Sequence, residues 1–267
     1  MVDVVCAATP APGTRVHAGV SVAPGGSAVN ASLAAAAAGA TACVVGRIGS
    51  DASGDLVESA LRRRGIETRL VRDAELPTGA AVALGLSPTS VVAERGANAR
   101  LGPDDVPASL DGTALIVSGF VLLQPGSSDA GRAALDRFTG EWAGIDLGSP
   151  KLAAASDLDE LARSATAVFA TADEARAVTG AGPVDAVRAL ATHFRLACVT
   201  LGPEGAIAAT GDRVERAAAP CVERRSPFGA GDAFAATLLV ALAQGDALAR
   251  GLERACAAGA AAAAAPR

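Results

Sequence analysis

The chain has 267 residues, 51% of them hydrophobic and 19% charged, with a net charge of −5. That length suits one large α/β domain or two small ones, and the composition excludes a disordered chain. Aromatic residues make up 3%, with one Trp and no Tyr, and no basic stripe is visible. Nucleic acid is therefore excluded as a partner, for want of both stacking platforms and a cationic footprint.

The five Cys, at 6, 43, 198, 221 and 256, form no C-x-x-C pair, and His17 and His193 are the only imidazoles. Neither a zinc site nor a disulfide framework is expected. Free thiols in a reducing cytosol are. No basic region followed by a long apolar stretch opens the chain, so neither a signal peptide nor a membrane span is expected.

In chain order, VDVVCAA (2–8) is a short β-branched run. Residues 9–24 read as loop and ribbon. SAVNASLAAAAAG (27–39) is a helix stopped by a Gly, TACVVGRIG a buried type of strand, and GDLVESALRRRG a helix ending at Gly65. Its Arg62-Arg63-Arg64 run fits an exposed last turn, where cations suit the helix dipole. Residues 78–95 break the rhythm with two strands and a turn around Ser87-Pro88-Thr89, expected to pair with residues 14–23. Then ALIVSGF, EWAGIDLG, TAVFAT and LACVTLG each precede a helical or polar stretch, the spacing of βα units in a parallel sheet. The expected fold is one α/β domain over 1–267: a doubly wound, mostly parallel sheet flanked by helices, with a small β-ribbon lid from about 13–24 and 78–95. Ligands of such sheets bind beyond the carboxyl ends of the strands.

Four stretches could carry chemistry. In SPFGAGDAFAATLLVALAQG (226–245), Gly229, Ala230 and Gly231 lead into a helix. Unpaired first-turn amides and the helix dipole make an anion hole there. Asp232 in that first turn could take a proton from an attacking hydroxyl; the plainer reading is an Asp common in first turns and Gly that relieves crowding. PGGSAVNASL places Gly25 and Gly26 for close backbone approach and Asn30 as a donor and acceptor, or as a solvated helix residue. GRIGSDASGD (46–55) is a strand end and turn. VTLGPEGAIA (199–208), with Thr200, Gly202 and Gly205, could hold nucleotide phosphate or ribose, or make a hairpin turn.

Taken together and in this order, these segments resemble the ribokinase-like, phosphofructokinase-B-type carbohydrate kinases over nearly the whole chain. The resemblance rests on Gly25-Gly26…Asn30, on Gly46, Gly49, Asp51 and Gly54, on RGANARL (95–101), VSGF (117–120), the DEA of TADEARAVTG, and GAGD (229–232). It implies an ATP-dependent phosphotransferase acting on a hydroxyl of a sugar, sugar acid or nucleoside. Asp232 would be the general base, and the amides of Gly229, Ala230 and Gly231 the anion hole. Gly25, Gly26, Asn30 and Asn98 would contact substrate, and Thr200, Gly202, Gly205 and the position of Cys256 the nucleotide. Glu174 would help hold magnesium through water. The lid would close over the sugar and form a homodimer interface.

Four positions depart from the family pattern. The Asp expected after the first strand has no counterpart, because Asp3 reads as preceding that strand. Thr171 stands for the Asn of N-x-x-E, Ser226-Pro227 for Asp-Thr before GAGD, and Cys256 for a late Asn. The loss of the Asp-Thr carboxylate speaks against a monovalent cation as activator. The departures leave two readings open: an active kinase with altered substrate, or a binding-only relative acting as a sensor. A nicotinamide dehydrogenase lacks support, since no G-x-G-x-x-G follows the first strand. Arg47 and Arg95 are the candidate cations for a carboxylate on a sugar acid.

Overall fold

A computed structural model describes residues 1–86 and 89–265; Ser87 and Pro88 of the expected turn lie outside the described residues. The first part of the chain runs β1 (Val2–Cys6), β2 (Val20–Pro24), α1 (Ser27–Ala37), β3 (Cys43–Gly49), α2 (Ala52–Arg63), β4 (Glu67–Asp73), β5 (Thr78–Leu84) and β6 (Ser90–Gly96). The second runs β7 (Ala114–Val117), α3 (Gly119–Leu122), α4 (Ser128–Arg137), β8 (Trp142–Asp146), α5 (Pro150–Ala154), α6 (Leu158–Ala162), β9 (Ala167–Thr171), α7 (Ala172–Thr179) and α8 (Pro183–Ala191). It closes with β10 (Leu196–Thr200), β11 (Ala206–Thr210), β12 (Arg213–Ala217), α9 (Ala230–Ala243) and α10 (Leu248–Ala264).

The body is a six-stranded sheet ordered β12-β11-β10-β9-β8-β7. β7 to β10 are parallel, while β11 and β12 add an antiparallel edge. WAGID, AVFAT and LACVT are apolar almost throughout because strands covered on both faces have no wet side to alternate with. One face carries a core of Leu135, Leu161, Val187 and Leu190. The other packs Phe234, Leu238 and Leu252 from the last two helices, with Phe169 and Phe234 meeting edge to face at 6.3 Å. The sheet is thus doubly wound, as expected. β3 and β4 form a separate parallel pair.

A second sheet, ordered β2-β1-β5-β6, corrects the expected ribbon. Among the described residues, 14–23 do not pair with 78–95. β1 lies between them, antiparallel to β2 and parallel to β5, while β5 pairs with β6. β2 returns directly alongside β1, with the Ala7 N–H donating to the Gly19 carbonyl at 2.9 Å, so β5 meets the far edge of β1. β4 was not anticipated: ETRLVRD exposes Glu67, Arg69 and Arg72 and carries four charges, so it lacks a buried strand's apolar run.

Candidate active site at the carboxyl ends of the strands

The site begins with the turn into α9. Gly229 adopts the left-handed conformation at φ 88°, which glycine enters without the Cβ penalty, and caps the helix. The first backbone bond of the helix runs from the Ala233 N–H to the Gly229 carbonyl. The amides of Ala230, Gly231 and Asp232 therefore have no partner within the helix. A Cβ at Gly231 would meet no protein atom within 4 Å. Crowding does not explain glycine there.

Asp232 is half-buried beside these amides. The Asn30 Nδ2 donates to Asp232 Oδ2 at 2.8 Å. Asn30 is buried in the first turn of α1 and reaches across 202 residues of sequence to do so. The solvated-residue reading of Asn30 is thereby overturned: it fixes the carboxylate that would accept the proton.

One of the four departures stands: no Asp follows β1, and Asp3 is the second residue of that strand. It lies within β1, not before it, and is 2% exposed. Its carboxyl rests on Gly25, where an added Cβ would fall 2.0 Å from Cγ. Asp3 is thus a buried carboxylate packed on Gly25, just ahead of α1. β1 belongs to the four-stranded sheet, so Asp3 arrives from above α1.

A third carboxyl, Asp146, was missed from sequence. It ends β8, and Oδ1 accepts from the Gly119 N–H at 3.2 Å, with the Ser118 hydroxyl donating as well. Gly119 has no room for a Cβ, which would fall 2.5 Å from the Asp146 carbonyl, so the ends of β7 and β8 are drawn together. Loss of water around Asp146, then the nearby charges of Asp232 and Glu174, push its carboxyl up to about 7. The only sequence signal was an acid closing an apolar strand, at the edge where α/β sheets bind ligands.

Glu174 and Thr171 form a reciprocal capping box at the start of α7. The Thr171 N–H donates to Glu174 Oε2 at 2.8 Å, and the Glu174 N–H to Thr171 Oγ1 at 3.3 Å. Burial raises the Glu174 carboxyl above its ordinary value. Thr in place of Asn thus keeps a cap that holds the carboxylate at the end of β9. Among the described residues, no three acid, His or Cys side chains are placed to hold a metal ion together. Asp146, Asp232 and Glu174 fit a hydrated divalent cation bound through water and phosphate oxygens, as magnesium commonly is.

Thr200 ends β10, its hydroxyl 3.4 Å from the Ala170 carbonyl. Gly202 is exposed with nothing near its Cβ position, whereas a Cβ at Gly205 would fall 2.0 Å from the Ala217 carbonyl, so Gly205 is required by the turn into β11. Gly26, at φ 88°, is the N-cap of α1. The side-chain oxygen of Asn98 accepts from the Arg47 N–H at 3.2 Å, which pins its loop to β3. Cys256 is 4% exposed in the core, its thiol 3.7 Å from the Ala217 carbonyl.

The sequence pattern of the pfkB family carbohydrate kinases matches residues 2–266. The chain belongs to that family. A pfkB carbohydrate kinase is a phosphotransferase with an alcohol group as acceptor. No curated protein sequence matches this pfkB chain significantly. Adenosine kinase from Sinorhizobium meliloti superposes with a TM-score of 0.80 at 25% identity, covering 91% of this chain and 78% of that one. Fructokinase from Vibrio cholerae O395, solved with fructose, ADP and calcium ion, gives 0.81 at 24% identity and covers 99% and 90%. Ribokinase from Thermotoga maritima gives 0.83 at 21% identity and covers 99% and 90%. The pfkB fold is therefore ribokinase-like.

Proposed function

We propose that the protein transfers the γ-phosphoryl group of ATP to a hydroxyl of a sugar-like or nucleoside acceptor. The observation that carries this is the Asn30–Asp232 hydrogen bond at the open N-terminus of α9. It aims a carboxylate at the place where a helix end receives negative charge. Phosphoryl transfer asks mainly for positioning and electrostatic stabilisation, which this arrangement supplies.

Asn30 orients the acceptor hydroxyl, with the backbone of Gly25 and Gly26 beside it. Asp232 accepts its proton as the oxygen attacks, and the amides of Ala230, Gly231 and Asp232 take up the charge on the transferring oxygens. Bound ATP supplies the phosphoryl group, with magnesium as its counter-charge. Asp146 and Glu174 hold the water around that cation. Thr200 and Gly202 stand at the neighbouring strand end for the nucleotide. The four-stranded sheet acts as the lid and keeps water from the reacting oxygens.

The test is ATP consumption with magnesium against sugars, sugar acids and nucleosides, in wild type and Asp232→Asn. Loss of a general base lowers turnover about 100- to 10,000-fold. Equal turnover in the variant would overturn the assignment.

We further propose a homodimer through the lid. In register, Val22, Val4, Val82 and Val92 form one row across all four strands, and Val20, Cys6 and Leu84 a second on the same face. Val20 and Val92 are 62% and 67% exposed. An apolar sheet face with open edges is suited to meet its own copy about a two-fold axis.

A further inference from the structure

We infer that the groove between α1, α9 and α10 binds an anionic amphiphile: a carboxylate on an apolar chain about 12 Å long. The groove has a volume of about 760 Å³. Its walls are apolar, with Leu33 and Ala34 from α1, Leu61 from α2, Ala233 from α9 and Ala258 from α10. α1 (SAVNASLAAAA) carries no charge on any side, the composition of a helix covered all round. Yet Ala37 is exposed and Leu33 and Ala34 are only half-buried, so its outer face lacks a cover.

The groove has two distinct ends. α1 and α9 run parallel: the Asn30–Asp232 bond joins their first turns, and Gln244 Nε2 donates to the Ala38 carbonyl at 3.4 Å where they stop. α10 runs the other way. Gly259 in its second half lies against the Ala230 carbonyl, and Arg254 in its first half donates to Gln244 Oε1 at 3.2 Å. α1 leads into the start of β3 and α2 into the start of β4, and Cys43 and Glu67 open those parallel strands in register. Ala38, Arg64 and Arg254 therefore share the end remote from Asp232. From Asn30 to Ala38 the helix rises about 12 Å, which sets the length of the chain it can hold.

Two polar groups lining this groove have no partner. Thr237 is 5% exposed, and its hydroxyl makes no hydrogen bond among the described residues. A helical threonine can bond back to the carbonyl one turn earlier, as Thr179 does to Ala175 at 2.7 Å, and Thr237 does not. Nor is its hydroxyl sealed in. Among the described residues, Trp142 Nε1 is the one fully enclosed side-chain polar atom without a partner. The Thr237 hydroxyl thus opens on the groove. Arg64 has no ion pair among the described residues, whereas Arg254 is matched by Asp246. An unbonded hydroxyl and an unmatched guanidinium on an apolar surface suit a negatively charged head. A neutral chain would leave the guanidinium unmatched, and a small polar anion would leave the apolar walls in water.

The probes are octanoate and its neutral counterpart octanamide, titrated by calorimetry without nucleotide, so that the outcome is independent of phosphoryl transfer. Wild type is expected to bind a single octanoate saturably, and octanamide about 10-fold more weakly, the share of a charge-assisted bond. Arg64→Ala is expected to weaken octanoate about 10-fold and to leave octanamide unchanged. Thr237→Val is expected to weaken octanoate by a smaller factor. Ala34→Phe, which fills the groove, is expected to abolish binding, with melting temperatures to confirm that each variant is folded. Should Ala34→Phe not fold, Arg64→Ala, at the exposed end of α2, decides alone. Replacing Val22 and Val92 by Lys on the lid is expected to change nothing. No saturable binding at millimolar octanoate overturns the inference. So does equal affinity for octanamide, and so does binding that Arg64→Ala leaves intact and the lid variant removes.

Discussion

At the scale of single residues, the proposed mechanism separates the group that takes the proton from the group that aims it. Asn30→Ala leaves Asp232 in place but removes the donor at 2.8 Å. Its kcat is expected to fall about 10- to 100-fold, less than for Asp232→Asn, because only orientation is lost; initial rates at saturating substrate decide this. Asp146 makes a second prediction. Folded, it keeps its proton up to about 7, against 3.8 for the ordinary carboxyl. Between those values the folded state binds more protons than the unfolded one, so stability falls as pH rises through the window and levels off above it. Glu174, also raised, acts in the same direction. Melting temperatures from pH 4 to 8 should show the decline, and Asp146→Asn should flatten it. An unchanged profile in that variant would mean that Asp146 does not titrate in this range.

At the scale of elements, the base of the lid is a hydrogen-bonded node. Asp51 caps α2 through the Gly54 N–H at 2.7 Å and also accepts from the Thr78 N–H and hydroxyl, each at 2.7 Å. Thr78 opens β5, and its hydroxyl accepts from the Gly49 N–H at 2.9 Å. The GRIGSDASGD stretch is therefore what fastens the lid to the body. Asp51→Ala is expected to cost about 1–3 kcal/mol, since it leaves buried donors unpaired; denaturant unfolding measures it. The parallel strands and their helices were legible because apolar runs bounded by turn residues report burial directly. GAGD and its helix were legible for a similar reason, since unpaired first-turn amides follow from helix geometry alone. The seat of Asp3 on Gly25 was not legible, because it depends on which sheet β1 joins. That pairing is fixed by β2 and β5, which lie 14 and more residues further on. Thr171 looked like a loss until the reciprocal bonds with Glu174 showed a different chemistry holding the same carboxylate.

For the molecule as a whole, the body and the four-stranded sheet divide the work. The body supplies acids and amides on parallel strand ends, and the sheet turns its valines outward. Light scattering at micromolar concentration should give a dimer for wild type and a monomer when Val22 and Val92 are both replaced by Lys, because two buried charges facing their own copies carry a large desolvation penalty. A monomeric wild type would reject the lid interface. Among the described residues no helix is long and apolar enough to cross a membrane.

The seat of Asp3 on Gly25 ties two distant positions into a single inherited character. Any side chain at 25 would occupy the space of the carboxylate. A descendant that exchanged the acid for a smaller group would release position 25 to vary, and one that gained a methyl there would first have to give up the acid. Sequences descending from this one should therefore keep the pair or lose it together.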